Sequence, residues 1–113
     1  MIADSTIELY QCKLMVLHAA YKIDNKLDFT SEVSMAKHFV ANMLNRVIDR
    51  AIQVHGALGY STDTPLAGMA TQARWARFAD GADEVHQMRI AQRTIAAYKD
   101  YGTTKRATGD LPL

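Results

Sequence analysis

Apolar residues in the first half of this chain recur at spacings of three and four, and this pattern constrains the fold more than any other feature. Such spacing places side chains along one side of an α-helix. Glycine and proline, which interrupt helices, are sparse, at six and two of 113 residues. The first stripe comprises Ala3, Ile7, Tyr10, Leu14, Leu17 and Tyr21. It predicts a helix that stops at the polar connection 24–28, with Glu8, Gln11, Lys13 and Lys22 mostly on the other side.

A second, longer helix is predicted from Thr30 or Ser31 to about Gly56. Either hydroxyl can cap the first free amides, and Glu32 lies where the helix dipole favours an anion. Glycine at the far end permits the backbone angles that terminate a helix. At 1.5 Å per residue this helix would be about 40 Å long. Its apolar stripe comprises Ala36, Val40, Met43, Val47, Ala51 and Val54.

Two shorter helices are predicted in the second half of the chain. Residues 60–63 form a loop, and Thr64-Pro65 is a typical helix start, with a capping hydroxyl before proline. Asp80-Gly81 interrupts the pattern, and a last helix ends at Gly102. Four helices with short connections predict an all-α antiparallel bundle over residues 1–102. The remainder, 103–113, has no periodicity and is predicted to be a flexible tail.

Composition and charge exclude several classes of function. The net charge of +1 provides no basic field for nucleic acid or anionic lipid. No stretch approaches the roughly 20 apolar residues that span a bilayer, and the amino terminus lacks the pattern of a signal peptide. Cys12 is the only cysteine, so no internal disulfide forms. We therefore expect a cytoplasmic protein with no nucleic-acid or membrane partner.

Three stretches, 49–60, 63–67 and 74–86, carry more information than periodicity. Their order and spacing resemble the carboxy-terminal domain of acyl-CoA dehydrogenases, and the resemblance covers roughly residues 2–100. The sequence from Asp80 to His86 most resembles that of the branch that acts on unusual or long acyl chains. The resemblance implies fatty acid metabolism, with FAD-dependent oxidation of the Cα–Cβ bond of an acyl-CoA thioester. It also implies that this chain lacks the family's amino-terminal domain, its β-domain and the first long helix of the bundle.

The resemblance assigns roles to particular residues. Asp80 occupies the position of the catalytic carboxylate, where many members have glutamate. A carboxylate suits this task because the α-proton of the thioester must be abstracted. The segment that approaches the FAD of the neighbouring subunit matches Gln53, Val54, His55, Gly56 and Ala57, although the family often has a second glycine at the last position. Positions near the flavin or its phosphates match Ala82, Asp83 and Glu84, and the two acidic residues disfavour direct phosphate contact. Asp83 and His86 share a helix face, but no second pair with ligand spacing supports a metal site.

These assignments lead to expectations about partners. The isolated chain is expected to be inactive and not to retain FAD, and a separate chain could carry the missing domains. A homodimer or tetramer built from helices is expected, because a bundle lacking one long helix should expose an apolar seam of Ala36, Val40, Met43 and Val47. Two alternatives remain open. One is a non-catalytic helical interaction module, and the other is a flavin monooxygenase of the same fold, which would not need an α-proton base at Asp80.

Overall fold

The computed structural model describes residues 1–103, and within them it is all-α without a strand, as predicted. Five helices follow one another within these described residues. They are α1 (Ile2–Asp24), α2 (Thr30–His55), α3 (Ala57–Tyr60), α4 (Leu66–Trp75) and α5 (Asp83–Tyr101). The four main helices confirm the predicted pattern, and α3 is a single added turn. The predicted tail 103–113 lies outside the described residues except for Thr103.

The bundle is organised around α2. Helices α1, α3, α4 and α5 all pack against α2, and α3 also packs against α4. In the part of the chain that the structure describes, the backbone of α1 lies close to α2 but not to α4 or α5. The molecule is elongated, 54 × 27 × 24 Å. No helix between residues 1 and 103 is long and apolar enough to cross a membrane.

The contact between α1 and α2 combines buried small residues, Cys12 and Ala19, with charged contacts. Glu8 accepts hydrogen bonds of 2.7 Å from both Arg46 and Arg50. The hydrogen bond from Arg50 is the largest influence on the Glu8 carboxylate and lowers its pKa. Burial opposes this effect, whereas the hydrogen bond from Arg46 adds to it. Near the other end of α1, Lys22 Nζ lies 2.7 Å from the buried carboxylate of Glu32. Side chains expected from the sequence to lie away from the apolar stripe therefore form the actual packing face.

The apolar stripe of α1 is consequently turned away from α2. Its five large side chains are each about half exposed, or more. The exposed seam expected on α2 is wrong in its location, because Ala36 and Met43 are buried and Val40 and Val47 are half-buried. Three main helices pack around α2 and cover much of it, whereas α1, at the edge, lies beside α2 alone among residues 1–103.

Helix ends agree with the sequence at the carboxyl termini of α2 and α5. They differ at the amino termini of α2 and α4, because the predicted cap by the Thr64 hydroxyl is also absent. Gly56 and Gly102 have φ of +60° and +65° and end α2 and α5 as predicted. The predicted cap by Thr30 or Ser31 is wrong, since α2 has no side-chain cap. Instead, the Thr30 amide donates a hydrogen bond of 3.0 Å to Asp28 Oδ1, two residues earlier in the connection.

Candidate functional site

The loop between α4 and α5 presents Asp80 at the molecular surface. Asp80 has φ of +53°, and Gly81 follows with φ of +103°. Aspartate is one of the few residues other than glycine that adopt left-handed angles without a large penalty. Two consecutive positive φ values reverse the chain here. The Asp80 side chain is exposed at the tip of this reversal.

Lys37 fixes both sides of this loop to α2. Its Nζ donates hydrogen bonds to the carbonyl oxygen of Ala76, at 2.9 Å, and to that of Gly81, at 2.7 Å. One cation thus joins the start of the loop to the residue after Asp80. The loop is closed again by the Asp83 amide, which donates to the Arg77 carbonyl at 3.0 Å.

Asp83 anchors the start of α5 from inside the molecule. It is only 4 % exposed, and its Oδ2 accepts hydrogen bonds from Arg77 Nε at 2.7 Å and Asn42 Nδ2 at 3.0 Å. His38 Nδ1 lies 3.3 Å from the other carboxylate oxygen. Burial is the largest single influence and would raise the pKa of Asp83, but Arg77, Asn42 and His38 together lower it below its usual value. The Asp83 carboxylate is therefore an ionised structural group already engaged within the chain.

His86 lies directly against Gly81. A Cβ atom built on Gly81 would lie 2.9 Å from His86 Nε2, too close for any other residue without movement of the ring. Within residues 1–103 both ring nitrogens of His86 are buried without a hydrogen-bond partner. The imidazole of His86 packs against the loop at Gly81. Glycine suits position 81 for two reasons: the ring leaves little room for a Cβ atom, and φ is positive.

The segment Gln53–Ala57 lies at the opposite end of α2, and all five residues are exposed. Gly56 combines φ of +60° with ψ of −142°. A Cβ atom added there would meet nothing within 4 Å, so the glycine meets a backbone requirement and not a packing requirement. Gly59 differs, because its Cβ would lie 2.8 Å from the Ile52 carbonyl oxygen. Glycine at 59 lets α3 fold back against the end of α2.

The structure separates the predicted site residues into two groups. The first group lies near Lys37 and comprises Asp80, Ala82, Asp83 and Glu84. Asp80 and Glu84 are exposed, whereas Asp83 is buried. Gln53 follows Lys37 by sixteen residues, or about 24 Å along α2. One copy of the chain therefore does not bring the predicted base and the segment 53–57 into a single pocket.

Two other features of the fold bear on where a ligand could bind. Among residues 1–103, no three histidine, cysteine, aspartate or glutamate side chains are arranged to hold a metal ion. A groove of about 620 Å³ lies between the carboxyl-terminal ends of α1 and α5, and it contains none of the predicted site residues. Its charged side chains are largely paired, for example Asp28 with Arg93 and Lys22 with Glu32.

Sequence reasoning missed the residues that hold the Asp80 loop. Lys37, Asn42 and Arg77 contribute through contacts with main-chain carbonyls or with a buried carboxylate. Asn45 acts in a similar way, because its Nδ2 donates to the Ala73 carbonyl of α4 at 2.7 Å. A polar residue on a helix face has no local pattern that identifies such a distant acceptor.

Comparison with known proteins agrees with this architecture. The family model described as "Acyl-CoA dehydrogenase, C-terminal domain" matches residues 1–95. The chain is 47% identical over 96 residues to mouse acyl-CoA dehydrogenase family member 10, covering 83% of this chain and 9% of that protein. It is 41% identical over 101 residues to (R)-benzylsuccinyl-CoA dehydrogenase of Thauera aromatica, covering 88% and 25%.

A solved structure supports the same relationship. A Mycobacterium abscessus protein described as an acyl-CoA dehydrogenase superimposes with a TM-score of 0.83 at 45% identity, covering 86% of this chain and 24% of that one. The chain thus spans a quarter or less of the length of these relatives. It belongs to the acyl-CoA dehydrogenase family and corresponds to the family's carboxy-terminal domain.

Proposed function

We propose that this chain supplies the carboxy-terminal domain of an FAD-dependent acyl-CoA dehydrogenase, in which Asp80 is the base that removes the α-proton of the acyl-CoA thioester. The observation that carries the proposal is an exposed carboxylate on a loop that is otherwise held tightly. Lys37 joins two carbonyls on either side of Asp80, and Asp83 anchors the following helix. Such fixation positions a base while leaving it open to a substrate.

The chemistry divides between the cofactor and this chain. Bound FAD would supply the acceptor for the hydride that leaves the β-carbon of the substrate. Asp80 accepts the α-proton, so that a trans-enoyl thioester is formed. Aspartate is one methylene shorter than glutamate, which displaces the base by about 1 Å relative to family members with glutamate and is large enough to affect the rate.

The residues at the end of α2 fit an approach by a flavin from outside this copy of the chain. Gly56 has open space around its Cα and a backbone conformation that favours glycine, which suits close contact between main chain and a ligand. The fit is weaker at Asp83, because its carboxylate and its amide are both engaged within the chain. A flavin contact near the start of α5 would therefore fall to Ala82 or Glu84.

The distance between the two groups favours a site shared between subunits. Asp80 of one copy and Gln53–Ala57 of another would contribute to the same flavin, consistent with a homodimer or tetramer packed through helices. The family's amino-terminal and β-domains would cover the remainder of the cofactor and the acyl chain. A site with so many contributors loses most of its contacts when one domain is alone. We accordingly expect this chain by itself neither to retain FAD nor to turn over acyl-CoA.

Two measurements test this proposal. The first is the visible spectrum of the purified chain after incubation with excess FAD and removal of free flavin. We expect no stoichiometric flavin absorbance, and a yellow protein with one flavin per chain would contradict the expected dependence on other domains.

The second measurement uses this chain in place of the matching segment of a full-length relative. Asp80→Asn should leave flavin bound and lower turnover by about 10²- to 10⁴-fold, the usual contribution of a general base. Asp63→Asn, in the exposed loop before α4, is the matched control and should change neither. Unchanged turnover in Asp80→Asn would move the base elsewhere, with Glu84→Gln as the next variant.

A second candidate function is a helical interaction module that kept the fold without the chemistry. The exposed apolar stripe of α1 favours it. The same hybrid protein separates the two functions. A hybrid that folds and binds flavin but never oxidises an acyl-CoA favours the interaction module.

A further inference from the structure

Two aromatic side chains and an arginine form an exposed patch on the turn that leads to Asp80. We call it the aromatic patch, and it consists of Arg74, Trp75 and Phe78. Trp75 and Phe78 are 61 % and 53 % exposed, and Arg74 is exposed as well. The proposed reaction uses none of these three side chains, although they lie within six residues of its base.

The backbone brings the three side chains of the patch to one side of the turn. Helix α4 ends at Trp75, and the amides of Phe78 and Ala79 donate hydrogen bonds of 3.0 and 3.1 Å to the Trp75 carbonyl oxygen. In such a helical turn, residues three and four positions apart are neighbours on the surface. Phe78 follows Trp75 by three residues and Arg74 by four, so its ring lies beside both side chains.

The guanidinium of Arg74 is held over the Phe78 ring, with its Cζ atom 5.3 Å from the ring centroid. This cation–π contact orients the planar guanidinium without using its N–H groups. Within residues 1–103, Arg74 forms no ion pair with a carboxylate. Arg77, three residues later, differs because its Nε donates to Asp83. Arg74 is therefore the cation of this turn that remains available to an external anion.

An exposed indole beside such a guanidinium fits a heteroaromatic base that is joined to phosphate groups. Bases stack on the faces of aromatic side chains whatever their sequence of hydrogen-bonding groups. The guanidinium fork matches the oxygens of a phosphate. Asp80, two residues after Phe78, repels phosphate, so the phosphates should lie on the side of Arg74. Both molecules that the proposed reaction brings to Asp80, FAD and acyl-CoA, contain adenosine diphosphate.

From these observations we infer that the aromatic patch binds an adenosine diphosphate moiety, with the adenine stacked on Trp75 and a phosphate paired with Arg74. The inference rests on the proposed function for the source of this moiety, which is either the FAD or the acyl-CoA. One stacked base and one phosphate pair give a reversible site with a dissociation constant of about 0.1–10 mM. Binding this weak is consistent with a chain that does not retain FAD once free flavin is removed.

NMR titration of the full chain tests the inference directly. Trp75 is the only tryptophan, so its indole N–H gives a single signal. The probes are ADP, adenosine and inorganic pyrophosphate. ADP should shift the indole signal saturably. It should also bind at least about fivefold more tightly than adenosine or pyrophosphate, because each of these makes only one of the two contacts.

Two variants and a control assign the binding to the patch. Arg74→Gln removes the charge, leaves the indole in place and should raise the dissociation constant for ADP at least about fivefold. Phe78→Leu should act in the same direction, because it removes the ring that orients the guanidinium. Lys13→Gln, at an exposed position of α1, is the matched control for the loss of one positive charge and should leave binding unchanged. Circular dichroism should show all three variants as helical as the parent chain.

Three results would each overturn the inference. They are an indole signal that ADP does not shift, equal affinities for ADP and pyrophosphate, and equal effects of Arg74→Gln and Lys13→Gln. Each of them leaves the proposed base untouched, because turnover of Asp80→Asn is measured separately. Conversely, unchanged turnover in Asp80→Asn would reject that base without altering the ADP titration.

The hybrid with a full-length relative identifies the source of the moiety. If the patch takes the nucleotide end of acyl-CoA, Arg74→Gln should raise KM for acyl-CoA and leave the flavin content unchanged. If it takes the corresponding part of FAD, Arg74→Gln should lower the flavin content after dilution and leave KM unchanged at saturating FAD. A hybrid in which Arg74→Gln alters neither value would exclude the patch from the assembled enzyme and would also overturn the inference.

Discussion

Replacing Lys37 by methionine is the most direct test of how the Asp80 loop is held. Methionine keeps most of the aliphatic stem but removes the charged group that joins the carbonyls of Ala76 and Gly81. A hydrogen bond from a charged donor contributes about 1.5–3 kcal/mol when buried. Lys37 is half-buried, so the lower part of that range applies to each bond. We expect Lys37→Met to lower the free energy of unfolding by about 2–3 kcal/mol.

The loss should be concentrated in the loop, which hydrogen exchange can detect. The Asp83 amide, which bonds to the Arg77 carbonyl, reports on closure of the loop. A local loss of about 2 kcal/mol corresponds to roughly 30-fold faster exchange of this amide. Amides in the middle of α2 should change much less. The measurement is hydrogen exchange read by NMR, together with urea unfolding at a fixed protein concentration.

Lys99→Met is the control for the loss of a positive charge, since Lys99 is exposed in the last turn of α5. It should change stability by about 0.5 kcal/mol or less. If Lys37→Met and Lys99→Met had equal effects, or if exchange at Asp83 were unaltered, Lys37 would not hold the loop and the reasoning would be refuted.

Two further predictions concern glycine and acid. Gly56→Ala should destabilise the chain by about 1–3 kcal/mol, because its backbone angles strongly favour glycine. In contrast, Gly68→Ala, at an exposed position inside α4 with open space around it, should stabilise by about 0.5–1 kcal/mol; urea unfolding that gave both variants the same sign would contradict this. The pKa of Asp28 is lowered to about 2 by hydrogen bonds from Thr30 and by Arg93, and that of Asp83 is also lowered. Groups with a lowered folded pKa contribute fully above their unfolded pKa of about 4, so stability should fall as the pH drops from about 4 towards 2. Asp28 is 59% exposed, and its share should be about 1 kcal/mol at most. A urea midpoint that rose on acidification through this window would show that other groups dominate.

The extents of the helices could be predicted from the sequence because their signals are local. The run from Thr30 to Gly56, the interruption at Asp80-Gly81 and the stop at Gly102 all agree with the structure. The orientation of α1 could not be predicted in this way. Periodicity shows which side chains share a face, whereas the choice of face here depends on charge partners of Glu8 that lie 38 and 42 residues away.

The candidate site could likewise be predicted only in part from the sequence. Asp80 and the segment 53–57 were found through their resemblance to a family, and their exposure is compatible with the roles proposed. That the two lie far apart on one chain follows only from the length of α2 and the point where Lys37 fixes the loop. Asp83 illustrates the limit most clearly. Its sequence position suggests a ligand contact, but its side chain is buried with Arg77 and Asn42.

The two charged contacts between α1 and α2 also fix the register of the helices. Glu8, with Arg46 and Arg50, and Lys22, with Glu32, are separated by fourteen residues, or about 21 Å along α1. A slip of α1 by one turn, about 5.4 Å, would break both contacts at once and leave the carboxylate of Glu32 buried without its cation. The two ion pairs therefore oppose sliding of α1 along α2. They fix the axial position at which α1 presents its outward face.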